Sequence, residues 1–137
     1  MKNVSHIVIV ETDLYYQNML ERHFQDKNQQ VHIFTSGEKL LVSSVKPDLI
    51  LLNYELSGSL NGLDVLRRIK GEMSRAPVIF LSNYDQIDIA VSSLKQGAFD
   101  YIIKDERAFD AIDAAISRYL EFIERQKSRK ARSFLYF

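Results

Sequence analysis

Polar side chains able to do chemistry recur in this sequence directly behind short apolar runs. Glu11-Thr12-Asp13 follows residues 6–10, Asn53-Tyr54-Glu55 follows 48–52, Ser82-Asn83 follows 78–81 and Lys104-Asp105 follows 99–103. An acid, a polar amide, a hydroxyl and a Lys placed at neighbouring strand ends would converge on one pocket. Other chemistries are excluded by composition. With 0 Cys there is no thiol nucleophile, disulfide or Cys-based zinc site. No HExxH or Walker pattern occurs, and His6, His23 and His32 read as strand or helix surface positions rather than ligands.

These residues meet only if the apolar runs are parallel strands. Five runs, residues 6–10, 31–34, 48–52, 78–81 and 99–103, have the aliphatic and β-branched content of strands buried on both faces. Between them apolar residues recur at helical spacing, as in Leu14, Met19, Leu20 and Phe24, or Leu63, Leu66, Ile69 and Met73. Ser36 is placed to cap the second helix and Asp105 the fifth, while Pro47 and Pro77 mark the starts of the third and fourth strands. The order is (βα)5, an α/β fold with a doubly wound, five-stranded parallel sheet. Such sheets carry their sites at the carboxyl ends of the strands.

The 137 residues suit one domain, long enough to bury about two-thirds of its extended-chain surface. Its 18 bases balance 18 acids, but unevenly: residues 125–132 hold Arg125, Lys127, Arg129, Lys130 and Arg132 and no acid, so residues 1–124 carry 13 bases against 18 acids. An acidic body lacks the basic face that nucleic acid requires. No apolar run reaches the roughly 18 residues of a membrane span, and no signal peptide precedes the first strand-like run, so a cytoplasmic location is expected.

The segments HIVIVETD (6–13), PDLILLN (47–53), NGLDVLRRIK (61–70), PVIFLS (77–82) and GAFDYIIK (97–104) occur in that order. Together they closely resemble the receiver domain of two-component response regulators, over about residues 5–124. The resemblance implies a flavodoxin-like receiver fold for residues 1–124 and a phosphorelay signalling module rather than an enzyme. In that family two acids after strand one and an Asp ending strand three hold Mg²⁺. That Asp takes the phosphoryl group from a phosphohistidine of a sensor kinase, and a strand-four hydroxyl and strand-five Lys then contact it. By position, Glu11 matches the first acid, Ser82 the hydroxyl, Lys104 the lysine, and Tyr101 the aromatic whose rotation reports activation.

Two positions depart from the pattern. The phosphoacceptor position is Asn53 and the second acid is Thr12. An amide is neither an anionic nucleophile nor a charge for a cation. The expectation is therefore a degenerate pocket of Glu11, Thr12, Asn53, Ser82 and Lys104, with no catalytic residue and no phosphorylation at the usual position. Mg²⁺ is expected to be weak or absent, with Glu11 and Glu55 left to hold it. The alternative is a displaced acceptor, Glu55 or Asp13, with Ser82 and Lys104 stabilising the transferred group. Against it, Asp13 reads as the cap of the first helix and Glu55 as a partner of Lys104 or a residue facing water. A flavodoxin-like cofactor binder is disfavoured because residues 11–18 contain no Gly to cradle a phosphate.

Lys104 is expected to pair with Glu11 or Glu55. Asp105 stands where the family usually has a cis Pro, so a trans peptide is expected there. Residues 55–62 are Gly- and Ser-rich, one residue longer than the commonest family form, and read as a mobile loop. Tyr15, Tyr16, Tyr54 and Tyr84 are expected to cluster near the pocket rim. The fifth helix is expected over about residues 106–125, with Phe109, Ile112, Ile116, Leu120 and Ile123 on its core face. Residues 125–137 then form a basic helix extension or linker with an apolar end. The expected partner is a sensor kinase or downstream signalling protein, with no nucleic acid or membrane contact by this domain. The resemblance adds pairing of two copies through helix four, strand five and helix five.

Overall fold

The computed structural model describes residues 4–25, 28–83 and 86–135. Strands β1 (His6–Val10), β2 (Gln30–Phe34), β3 (Leu49–Asn53), β4 (Val78–Ser82) and β5 (Asp100–Ile103) alternate with helices. The helices are α1 (Leu14–Gln25), α2 (Gly37–Leu41), α3 (Gly62–Arg68), α4 (Ile87–Lys95) and α5 (Ala108–Leu135), and α3 runs into a π-helical turn at Ile69–Met73. All strand pairs are parallel, in the order β2-β1-β3-β4-β5. The central strands β3 and β4 are buried at every residue, which is why their sequences are nearly uninterrupted aliphatics.

Alternate side chains feed two cores. Ile7, Ile9, Leu49, Leu51, Ile79 and Leu81 pack beneath α1 and α5, against Leu20, Phe24, Ile112 and Ala115. Val8, Val10, Ile50, Leu52, Val78 and Phe80 pack beneath α2, α3 and α4, against Leu40, Val65, Leu66 and Ile89. Local chemistry sets the boundaries. Ser36 accepts from the Lys39 N–H at the start of α2, and Asn61 with Asp64 forms a reciprocal capping box on α3. The Asp105 carboxylate accepts from the Arg107 N–H just ahead of α5.

Three expectations change. The fifth helix starts two residues later than expected and runs unbroken to Leu135, the helix-extension form of the two weighed for this segment, because the Lys/Arg-rich residues are good helix formers with no breaker among them. The histidines are half-buried and partnered rather than surface residues. His6 Nδ1 and His32 Nε2 are 3.2 Å apart across β1 and β2, and His23 Nε2 lies 2.9 Å from Asp113 on α5. Of the described tyrosines, Tyr15 is exposed, Tyr16 joins the α1/α5 core beside Lys104 and Tyr54 joins the opposite core, so these three form no single cluster at the rim. Tyr84, and Tyr136 and Phe137 of the apolar end, lie outside the described residues.

Candidate functional site

Parallel strands bring Glu11, Asn53, Ser82 and Lys104 to one end of the sheet, since each ends or directly follows its strand. Glu11, Asn53 and Ser82 are buried, and no charge in such a place is tolerable without partners. Glu11 has several. One carboxylate oxygen forms an ion pair with Lys104 Nζ, with side chains only 2% and 3% exposed, and the other accepts from the Asp13 N–H at 3.0 Å. The Glu11 carbonyl accepts from the buried Gln17 amide, a contact that nothing in the spacing of Gln17 had signalled. Of the two acids weighed for Lys104, the structure selects Glu11.

Tyr16 closes this side of the pocket. Its ring lies 4.4 Å from Lys104 Nζ in a cation–π contact and stacks on Phe109 at 5.8 Å. Burial first, then the negative charges of Glu11 and Asp105, push the Tyr16 phenol from 10.0 up to about 12. The phenol is thus protonated in the fold where the unfolded chain would already have released its proton. Stability contributed by Tyr16 is present below pH 10 and is lost as pH rises toward 12. In an alkaline unfolding series read with ultraviolet phenolate absorbance, the fold should weaken across that window, and Tyr16→Phe should remove the corresponding part of the slope. An unchanged slope would contradict the buried placement of this phenol.

Asn53 is 3% exposed, and its Nδ2 donates to the Glu55 carbonyl at 2.6 Å. This contact assigns the amide orientation, because the flipped rotamer would set two oxygens against each other. Its Oδ1 is buried and meets no donor among the described residues. Gly62 explains how the next loop approaches so closely: a Cβ there would lie 2.5 Å from the Asn53 carbonyl oxygen and 2.8 Å from Tyr54 Cα.

Thr12 is exposed and works as a strut between loops. Its hydroxyl donates to the Thr35 carbonyl at 3.3 Å and accepts from the Ser57 N–H at 3.1 Å. The loop after β3 is therefore tied down, where its composition read as mobile. Ser57 pairs with Ser36 in a parallel bridge and donates its hydroxyl to Thr35, while the Ser59 N–H and hydroxyl both donate to Glu38 Oε2. Those Ser59 contacts, the backbone one foremost, hold the Glu38 carboxyl below the usual carboxylate range. Gly58, at φ +91° beside the Glu38 carboxylate, supplies the one left-handed residue the turn needs. The serines that suggested looseness are hydrogen-bond donors here.

The remaining acids are placed apart. Asp13 accepts from the Tyr15 N–H at 3.0 Å and so caps α1 as expected. Glu55 is exposed on the rim with Asn83 Nδ2 at 3.4 Å, away from the Lys104 ion pair. Among the described residues no three His, Asp or Glu side chains converge as a metal-holding group. All described peptides are trans, Lys104–Asp105 included.

Residues 7–117 match the response regulator receiver domain. The chain belongs to this family. It is similar to the DNA-binding transcriptional regulator NtrC of Klebsiella pneumoniae, 34% identical over 118 residues covering 82% of this chain and 25% of that protein. It is also similar to the nitrogen assimilation regulatory protein NtrX of Azorhizobium caulinodans, 36% identical over 118 residues covering 84% and 26%. The receiver thus spans about a quarter of the length of the curated relatives it matches. In fold it is similar to a BeF3-activated DrrB receiver domain, with TM-score 0.74 and 22% identity over 87% of this chain and 99% of that one. A signal receiver domain of a putative LuxO repressor protein from Vibrio parahaemolyticus gives TM-score 0.77 and 21% identity over 91% and 96%.

Beside the receiver pocket, Tyr101 stacks on Phe80 at 6.0 Å and 17°, on the α2–α4 side of the sheet. Tyr101 also lines a groove of about 360 Å³ between α4, β5 and α5, with Ile87, Val91, Ile103, Arg107 and Ala111. Ile87, Val91 and Leu94 lie at helical spacing on α4 and are 73%, 44% and 49% exposed. That is an apolar stripe facing outward. Among the described residues no helix is long and apolar enough to cross a membrane.

Proposed function

We propose that this receiver is a signalling module that works by protein–protein contact without accepting a phosphoryl group at the usual position. The observation that carries the reading is the Asn53 amide donating to the Glu55 carbonyl. An N–H donor stands where the family needs an anionic nucleophile, and it uses the backbone carbonyl that ligates metal in the family. The donor set does not fit Mg²⁺. Glu11 is neutralised by Lys104, Thr12 is a neutral strut, and Asn53 presents a proton to the carbonyl. Glu11 and Glu55, the two acids left for a metal, stand apart, one buried and the other on the rim.

The partner is a sensor kinase or downstream signalling protein in the cytoplasm, and the α4–β5–α5 face is the surface through which copies of the chain pair. The exposed Ile87, Val91 and Leu94 stripe supports that surface, and a second copy of the chain is one such partner. The acidic body disfavours nucleic acid as the ligand of this domain.

Intact-mass measurement after treatment with acetyl phosphate and Mg²⁺, with a beryllofluoride thermal shift in parallel, tests the pocket reading. No adduct and no shift are expected. A phosphoryl adduct mapped to Glu55 or Asp13 would overturn it in favour of a displaced acceptor.

A further inference from the structure

Two histidines on neighbouring strands play no part in the receiver pocket. His6 opens β1, and His32 lies in β2, which is an edge of the sheet. In the parallel register His32 stands beside Val8, two residues on from His6, so both imidazoles leave the same face. His6 Nδ1 and His32 Nε2 face each other at 3.2 Å, with ring centroids 5.4 Å apart and planes 25° from parallel. Both residues are half-buried, which leaves water access to the pair. The backbone beneath them is fixed. The His6 N–H donates to Asp48 Oδ2 at 2.9 Å, the His6 carbonyl accepts from the Asp48 N–H at 2.8 Å, and the β1–β2 ladder holds His32.

Only one of the two facing nitrogens carries a proton, since two N–H groups or two lone pairs would repel. Nitrogens held at this separation also fit a shared cation. Zn–N bonds of about 2.0–2.1 Å across the 3.2 Å gap give an N–Zn–N angle of about 100–105°, close to tetrahedral. The broad χ2 torsion of His lets each ring turn its lone pair toward an ion beside the N···N line. On binding, the proton between the rings moves to the outer nitrogen of its own ring, so both facing nitrogens become ligands and neutral rings release no proton. Imidazole suits Zn²⁺, Ni²⁺ and Cu²⁺, whereas Mg²⁺ requires oxygen ligands. We propose that His6 Nδ1 and His32 Nε2 together bind one divalent transition-metal ion of this class, with water at its remaining positions. The ion ties edge strand β2 to β1. No richer donor set competes, because the chain has 0 Cys and 3 His, and among the described residues no three His, Asp or Glu side chains converge. His6 starts its strand, whereas Glu11, Asn53 and Lys104 end or follow theirs, so the site is independent of how the acceptor pocket works.

Calorimetric titration of the native protein with ZnCl2 near neutral pH should show one ion bound per chain. The melting temperature should climb with the logarithm of free Zn²⁺ and fall back when a chelator is added, as for a ligand that binds only the folded state. An equal concentration of MgCl2 should not displace the zinc. His6→Gln and His32→Gln should each weaken zinc affinity by about tenfold or more, whereas His23→Gln should leave it unchanged. A protonated ring has no lone pair to give, so affinity should also fall by about tenfold or more between roughly pH 7.5 and pH 5.5. Ring-nitrogen chemical shifts of the isotope-labelled native protein identify the ligating atoms without any substitution, and His6 Nδ1 and His32 Nε2 should move on zinc addition. Zinc affinity that survives in the double variant His6→Gln, His32→Gln would overturn the site. So would shifts confined to His23, or the absence of both heat and stabilisation in about tenfold molar excess of zinc.

Discussion

Replacing Lys104 by Met is expected to lower the unfolding free energy by about 3–5 kcal/mol, the range found when one member of a buried ion pair is removed. The side chain of Glu11 is 2% exposed, and its remaining donor is the Asp13 N–H. Met preserves most of the chain length, so the loss isolates the charge and its contact with Tyr16 from packing volume. Urea denaturation gives the number directly. The double variant Glu11→Gln, Lys104→Met removes the stranded carboxylate and should recover most of the loss, because a Gln oxygen still accepts from Asp13. If the single variant costs under about 1 kcal/mol, the pair is solvated and not the buried bridge described above.

Asn53→Asp is expected to make stability depend on Mg²⁺. The substitution deletes the donor to the Glu55 carbonyl and sets a carboxylate oxygen against it at a buried site beside Glu11. An unsatisfied buried polar group costs about 1–3 kcal/mol, and a charged one more, so the variant should be weaker than the native protein in chelator. Added Mg²⁺ should return stability in proportion to the logarithm of its concentration, as a ligand that binds only the folded state does. Adding Thr12→Asp should lower the Mg²⁺ concentration required, since a third carboxylate strengthens a hard-cation site. The native protein should show no such response. A variant as stable in chelator as the native chain, and indifferent to Mg²⁺, would mean that the Asn53 amide has no part in closing the pocket.

Periodicity and residue type were enough to determine the sheet, its parallel strands and the strand ends where polar residues gather. They were enough because short continuous apolar runs, helical spacing and caps such as Ser36 and Asp13 act over a few residues. The identities of Asn53 and Thr12 also raised the expectation of a degenerate acceptor site, the reading proposed above. What each polar group does instead was decided by tertiary structure. Lys104 choosing Glu11 depends on which carboxylate lies across the sheet, 93 residues away in sequence. The pinning of the Ser-rich loop depends on Thr12 and Thr35 arriving beside it from the ends of β1 and β2, and Glu38 from the first turn of α2. Composition reported the flexibility of that loop's backbone but held no information on distant partners. The same limit applies to α5, where helix propensity continued through the basic segment after the core contacts had ended.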